Sequence, residues 1–122
     1  MKHVVERYHR AGSQERGESV EVALRSPVGV VAVDPQFEEN GYVYLYYSTE
    51  HPQRRTVLAR VRDDGGRGKE LHEIFSLDAA PACCHIAGSL RFAPDGTLFV
   101  TVGDHQMERA AQDRSTPFGA IL

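Results

Sequence analysis

Apolar residues in this chain gather in short runs bounded by turn formers, and few of them follow the three-to-four spacing of an amphipathic helix. Val28 to Val33 is an uncharged apolar run that suits a strand buried on both faces. Tyr42-Val43-Tyr44-Leu45-Tyr46-Tyr47 is β-branched and aromatic, follows the hairpin signal Asn40-Gly41, and reads as the next strand. Thr56 to Val61 and Leu71 to Leu77 supply a third and fourth strand across the turn-forming Asp63-Asp64-Gly65-Gly66. Four strands in succession predict one antiparallel meander. Residues 1 to 24 read as a polar arm, loosely held and ending in a short strand near Val20 to Leu24, ahead of a β-rich unit over 25 to 122.

The pattern then repeats. Gly29 stands six residues before Pro35 and Gly88 six before Pro94, and Gly41 and Gly96 each open a β-rich run. The first pair of glycines is offset by 59 residues and the second by 55, the difference being Gln36-Phe37-Glu38-Glu39. A four-stranded meander repeated at this interval is the pattern of a β-propeller, in which each blade buries its faces against its neighbours. Here there is about one and a half blades of an all-β fold, with residues 88 to 104 forming the hairpin that opens the second. Blade faces left uncovered would favour self-association.

Composition narrows the function. A net charge of −3 and a pI near 6.0 provide no basic field for nucleic acid or an anionic membrane. No apolar stretch approaches the roughly 20 residues that span a bilayer, and the first ten residues lack the apolar run of a secretory signal. The two cysteines are adjacent and cannot close a loop, so no disulfide framework is expected. Buried thiols are the simplest state for Cys83 and Cys84, with a strained vicinal disulfide as the alternative. Cys83-Cys84-His85 has no second ligand pair at zinc spacing. His3, His9, His51, His72 and His105 are scattered and read as exposed.

The candidate chemistry lies in Cys83-Cys84-His85-Ile86-Ala87-Gly88-Ser89-Leu90-Arg91-Phe92-Ala93-Pro94-Asp95-Gly96-Thr97-Leu98-Phe99-Val100-Thr101-Val102-Gly103-Asp104. A hairpin that reverses at Pro94-Asp95-Gly96 returns the end of its second strand to the start of its first. His85 and Asp104 therefore meet at one edge, within reach of a direct or water-bridged hydrogen bond. A carboxylate beside an imidazole fixes its tautomer and supports a general base. The structural alternatives are a histidine closing a strand end and an aspartate closing an Asx turn. The Tyr42 to Tyr47 cluster points in alternating directions and reads as core and blade packing, not as a sugar-stacking platform.

With these segments, Asp34-Pro35-Gln36-Phe37-Glu38-Glu39-Asn40-Gly41-Tyr42-Val43-Tyr44-Leu45-Tyr46-Tyr47, Ala111-Gln112-Asp113-Arg114-Ser115 and Gly119-Ala120-Ile121-Leu122, the chain resembles the glucose/sorbosone dehydrogenase family from about Val28 to Leu122. The resemblance implies a six-bladed propeller, of which this is a part, that oxidises sugars with pyrroloquinoline quinone and calcium. It implies His85 as the base that takes the proton of the sugar's anomeric hydroxyl, and Asp104 as the carboxylate that orients it. It brings the loop of Gln112 and Asp113 near the cofactor face without a role for either, and leaves the calcium and much of the quinone site to later blades. Members of the family are typically periplasmic or secreted.

Some positions depart from the family's pattern. Ala87-Gly88 stands where two glycines are usual, Pro27-Val28-Gly29-Val30 replaces a Gly-Leu-Leu-Gly stretch, and Arg91 and Ala120 differ from the usual small and basic residues. A methyl at Ala87 narrows backbone approach to a cofactor. A truncated gene or a domain fragment is the expected origin of so short a chain. Three classes follow: part of a quinone-dependent aldose dehydrogenase, a propeller serving as a binding module, and a fragment without activity of its own.

Overall fold

The computed structural model describes residues 30–49, 53–78, 84–86 and 88–122. Its strands are β1 (Val30–Val33), β2 (Tyr42–Thr49), β3 (Arg55–Asp64), β4 (Arg67–Leu77), β5 (Leu90–Phe92) and β6 (Leu98–Val100), with one helical turn, α1 (Phe37–Asn40), and a 3-10 turn at Ala110–Gln112. β1 to β4 form one antiparallel sheet in sequence order, and β5 pairs with β6 in a second. This is the meander and the half-blade that the sequence pattern predicts, with β3 and β4 longer than expected. The expected strand near Val20 to Leu24 lies outside the described residues.

Turn chemistry explains the connections. Gly65 and Gly66 both have positive φ, 62° and 93°, so two residues suffice to join β3 to β4. Asn40-Gly41 is not a hairpin turn of this kind. Gly41, at φ 68°, instead ends α1 in the left-handed conformation, its N–H donating to Phe37 O. The corresponding β5–β6 connection has no helix, and the residues by which the first repeat exceeds the second fall largely in α1. Asp34 holds this loop together, accepting from the Gln36 N–H and Asn40 Nδ2 on one oxygen and from the Tyr44 hydroxyl on the other.

Alternation along the strands divides the first sheet into two apolar faces. Val43, Leu45, Tyr47, Val57, Ala59 and Val61 are buried on one, with Val31, Val33 and Phe37 packed against them. On the other, Tyr46 and Leu58 join Ile86, Leu90, Val100 and Val102 in the layer that unites the two sheets. Tyr44, Tyr46 and Tyr47 are thus packing residues, whereas Tyr42 lies against the Arg60 and Arg62 guanidinium groups, and Tyr44 meets the Phe92 ring edge-on at 5.2 Å. Tight contact between the sheets requires Gly88, where a Cβ would lie 2.5 Å from the Tyr46 ring. Past β6 a third strand begins: Val100 and Leu122 exchange backbone hydrogen bonds, and the Val102 N–H donates to Ala120 O. Ile121 there is 71% exposed.

Tyr46 is 1% exposed, and its hydroxyl has no hydrogen-bond partner among the described residues. Tyr46→Phe removes that orphaned atom and keeps the ring, so it should raise the unfolding free energy by about 1 kcal/mol in urea denaturation. Burial pushes the phenol pKa up to about 12. The native state then keeps a proton that the unfolded state releases near pH ~10, and stability falls as pH rises from there toward the native value. The Phe variant should show a shallower decline over that window. A variant less stable than the parent at neutral pH would show that the hydroxyl has a favourable partner.

Candidate functional site

The hairpin of β5 and β6 continues past its strands in irregular pairing. The Thr101 N–H donates to Ser89 O, Thr101 Oγ1 accepts from the Ser89 N–H at 2.7 Å, and the Gly103 N–H donates to Ile86 O. The His105 N–H closes the series on His85 O at 3.0 Å. This end of the hairpin carries His85 and Asp104, and His85 Nδ1 lies 2.7 Å from Asp104 Oδ1. The ring is 52% exposed and the carboxylate 26%.

Asp104 Oδ1 also accepts from the Gln106 N–H at 3.1 Å. That backbone bond, followed by the one from His85, holds the Asp104 carboxyl below its usual range. The carboxylate is ionised at neutral pH and can only accept, so His85 carries its proton on Nδ1. In the neutral ring that leaves the lone pair on Nε2. The Asx turn expected as the structural alternative for Asp104 is present, and the same oxygen serves both contacts.

Gly103 permits this arrangement. A Cβ there would stand 1.9 Å from the His85 carbonyl oxygen, so the two backbones cross at a distance no side chain allows. His85 itself adopts φ 64°, and His105 and Gln106 follow the carboxylate at φ 52° and 62°. Three non-glycine residues in the left-handed region at one rim mark a locally strained site, as functional sites often are.

Other expectations fare differently. Gln112 ends the 3-10 turn and Asp113 caps the next turn through the Ser115 N–H and hydroxyl, so neither joins the His85 pair. Arg91 is exposed on β5, and Ala87 lies outside the described residues. His72 is exposed as expected, whereas His105 is not: it is 3% exposed, with its ring 5.1 Å from that of Phe118 and Nε2 3.5 Å from Thr56 Oγ1. His3, His9 and His51 lie outside the described residues. Cys84 is not a buried thiol but an exposed, disulfide-bonded residue, because it sits on the open rim beside His85. The chain's other cysteine, Cys83, lies outside the described residues. Gln106 Nε2 approaches Cys84 Sγ at 3.5 Å.

Sequence reasoning missed His105, Gln106 and Gly103 as parts of this rim. The first two follow Asp104 in a polar loop whose pattern carries no periodic signal. Gly103 was legible only as the residue before a candidate aspartate.

A four-stranded meander adjoined through its first strand by the first hairpin of a second, with polar groups on the rim of that hairpin, defines consecutive blades of a β-propeller. The chain belongs to the Glucose / Sorbosone dehydrogenase family, whose model matches residues 5–122. It is 32% identical to an uncharacterized protein of Synechocystis over 104 residues, 75% of this chain and 25% of that protein. It superposes on an oxidoreductase of Thermus thermophilus described as a glucose dehydrogenase, with TM-score 0.65 and 35% identity over 75% of this chain and 28% of that one. A second glucose dehydrogenase structure matches with TM-score 0.66 and 26% identity, again over 75% of this chain and 28% of the other. The chain thus spans about a quarter of the length of these relatives and is a glucose dehydrogenase-like propeller fragment.

Proposed function

We propose that this chain is the part of a quinone-dependent aldose dehydrogenase that supplies the general base. The observation that carries the proposal is the 2.7 Å contact between His85 Nδ1 and Asp104 Oδ1 on a half-exposed rim, in a chain of this family. Oxidising a sugar hydroxyl to a carbonyl removes a proton from oxygen and a hydride from the adjoining carbon. His85 Nε2 takes the proton, and Asp104 stabilises the imidazolium that forms. When bound, pyrroloquinoline quinone supplies the hydride acceptor.

The donor set among the described residues does not fit calcium. That ion takes about six to eight oxygen ligands, and among the described residues no three Asp, Glu, His or Cys side chains converge. On this reading the described part contributes the base, and the calcium and much of the quinone site belong to later blades, as the family resemblance implies.

A dye-reduction assay with quinone, calcium and aldoses tests this. The 122-residue chain alone should give no turnover above background, because a base acts only where acceptor and substrate are held together. A chain extended to the relatives' length should turn over and lose about 10²-fold or more on His85→Ala. An active His85→Ala variant would remove His85 from the reaction, and an extended parent chain without turnover would leave the reading of the propeller as a binding module.

A further inference from the structure

Resting on the reading of His85 as base, we propose that His105 is a positioning residue, whose buried ring anchors the loop that holds His85 and Asp104 together. Two successive N–H groups of this loop divide between the partners: that of His105 donates to the His85 carbonyl, and that of Gln106 to the Asp104 carboxylate. Aiming both requires His105 and Gln106 in the left-handed region, at φ 52° and 62°. Non-glycine residues remain there only where their surroundings over-determine them.

The surroundings supply that constraint at His105. Its ring is nearly inaccessible, lies against Phe118 from the segment before the third strand of the second blade, and reaches Thr56 of β3 in the first blade. Thr56 is itself fully buried. The loop is thus fastened to both blades through one side chain, 49 positions from Thr56 in sequence. Gln106 contributes chiefly through its backbone, since its side chain touches Cys84 Sγ and not the pair.

Glycine substitution separates an anchor from a residue that merely tolerates its conformation, because glycine adopts positive φ freely. The measurement is the His85 tautomer in the 122-residue chain, read from side-chain 1H–15N correlations, beside the thermal midpoint. In the parent, His85 should be held as the Nδ1–H tautomer. His105→Gly should shift the tautomer ratio toward Nε2–H by about tenfold, as for loss of one net hydrogen bond. Gln106→Gly, which keeps the backbone donor, should leave the ratio unchanged, and His105→Phe, which keeps a ring against Phe118, should restore most of it.

If His105→Gly does not fold, Phe118→Leu removes the ring contact from the other side, and a smaller shift in the same direction is expected. An unchanged tautomer ratio in a folded His105→Gly or Phe118→Leu protein would overturn the positioning role. A parent chain without the Nδ1–H tautomer would instead overturn the base-and-orienter reading on which the inference rests.

Discussion

Gly103→Ala should separate His85 from Asp104 without altering either. The added methyl would lie 1.9 Å from the His85 carbonyl oxygen and 2.6 Å from its carbon, both backbone atoms with no rotamer into which to retreat. Relief requires the crossing segments to move apart by more than an ångström. That movement stretches the bonds from the Gly103 N–H to Ile86 O and from the His105 N–H to His85 O, which fix the height of the imidazole over the rim. Overpacking of this severity costs about 3 kcal/mol. In the chain of full relatives' length, turnover should fall as far as in His85→Ala. Gly65→Ala is the control: its Cβ would meet nothing within 4 Å, and only the positive φ is penalised, by about 1 kcal/mol. A Gly103→Ala protein with unchanged urea midpoint and His85 tautomer would show that the strands yield at little cost.

The second large effect is expected from Asp104→Asn, which keeps the shape of the side chain and removes its charge. An asparagine amide can present a donor to His85 Nδ1, which then accepts, and the ring carries its proton on Nε2, the atom needed as the base. Loss of the base form and of the charge that stabilises the imidazolium should lower kcat in the longer chain by about 10³-fold. The stability consequence follows from the depressed Asp104 carboxyl. Its stabilising contribution is present above the unfolded-state pKa and disappears as pH falls through the lower native value. The Asn variant should therefore differ most from the parent at neutral pH and converge with it in acid. Activity retained within a factor of about three would contradict the orienting role, given the usual contribution of such a group.

The sheet and the meeting of His85 with Asp104 were legible because both depend on local rules. Alternation fixes which residues of β2 and β3 turn inward, and a hairpin must bring its two ends together whatever surrounds it. Where the reading failed, the deciding contact left no signal in the hydrophobic pattern. Asn40-Gly41 carries a hairpin dipeptide, yet Gly41 is taken up in ending α1. His105 looks like surface because it stands between the polar Asp104 and Gln106, and the groups that enclose it include Thr56 of another blade. The bulges of β4 opposite Leu58 to Ala59 and Arg60 to Arg62, with Glu70 at φ 54°, likewise leave no mark in the hydrophobic pattern.

The β5–β6 hairpin is a pair of tweezers gripped at the open end and pivoted at the tip. Three residue pairs set its register, and burial of Leu90 and Val100 resists any slip, because a shift by one would turn both outward. Pro94, Asp95 and Gly96 at the tip are exposed, and a Cβ on Gly96 would meet nothing within 4 Å. An extra loop, a fluorophore or a tethering tag grafted there would be separated from the imidazole by at least the strands themselves, roughly 10 Å. The tip is therefore the natural handle for attaching cargo to this fragment, or for immobilising it on an electrode, while the pair at the other end keeps its spacing.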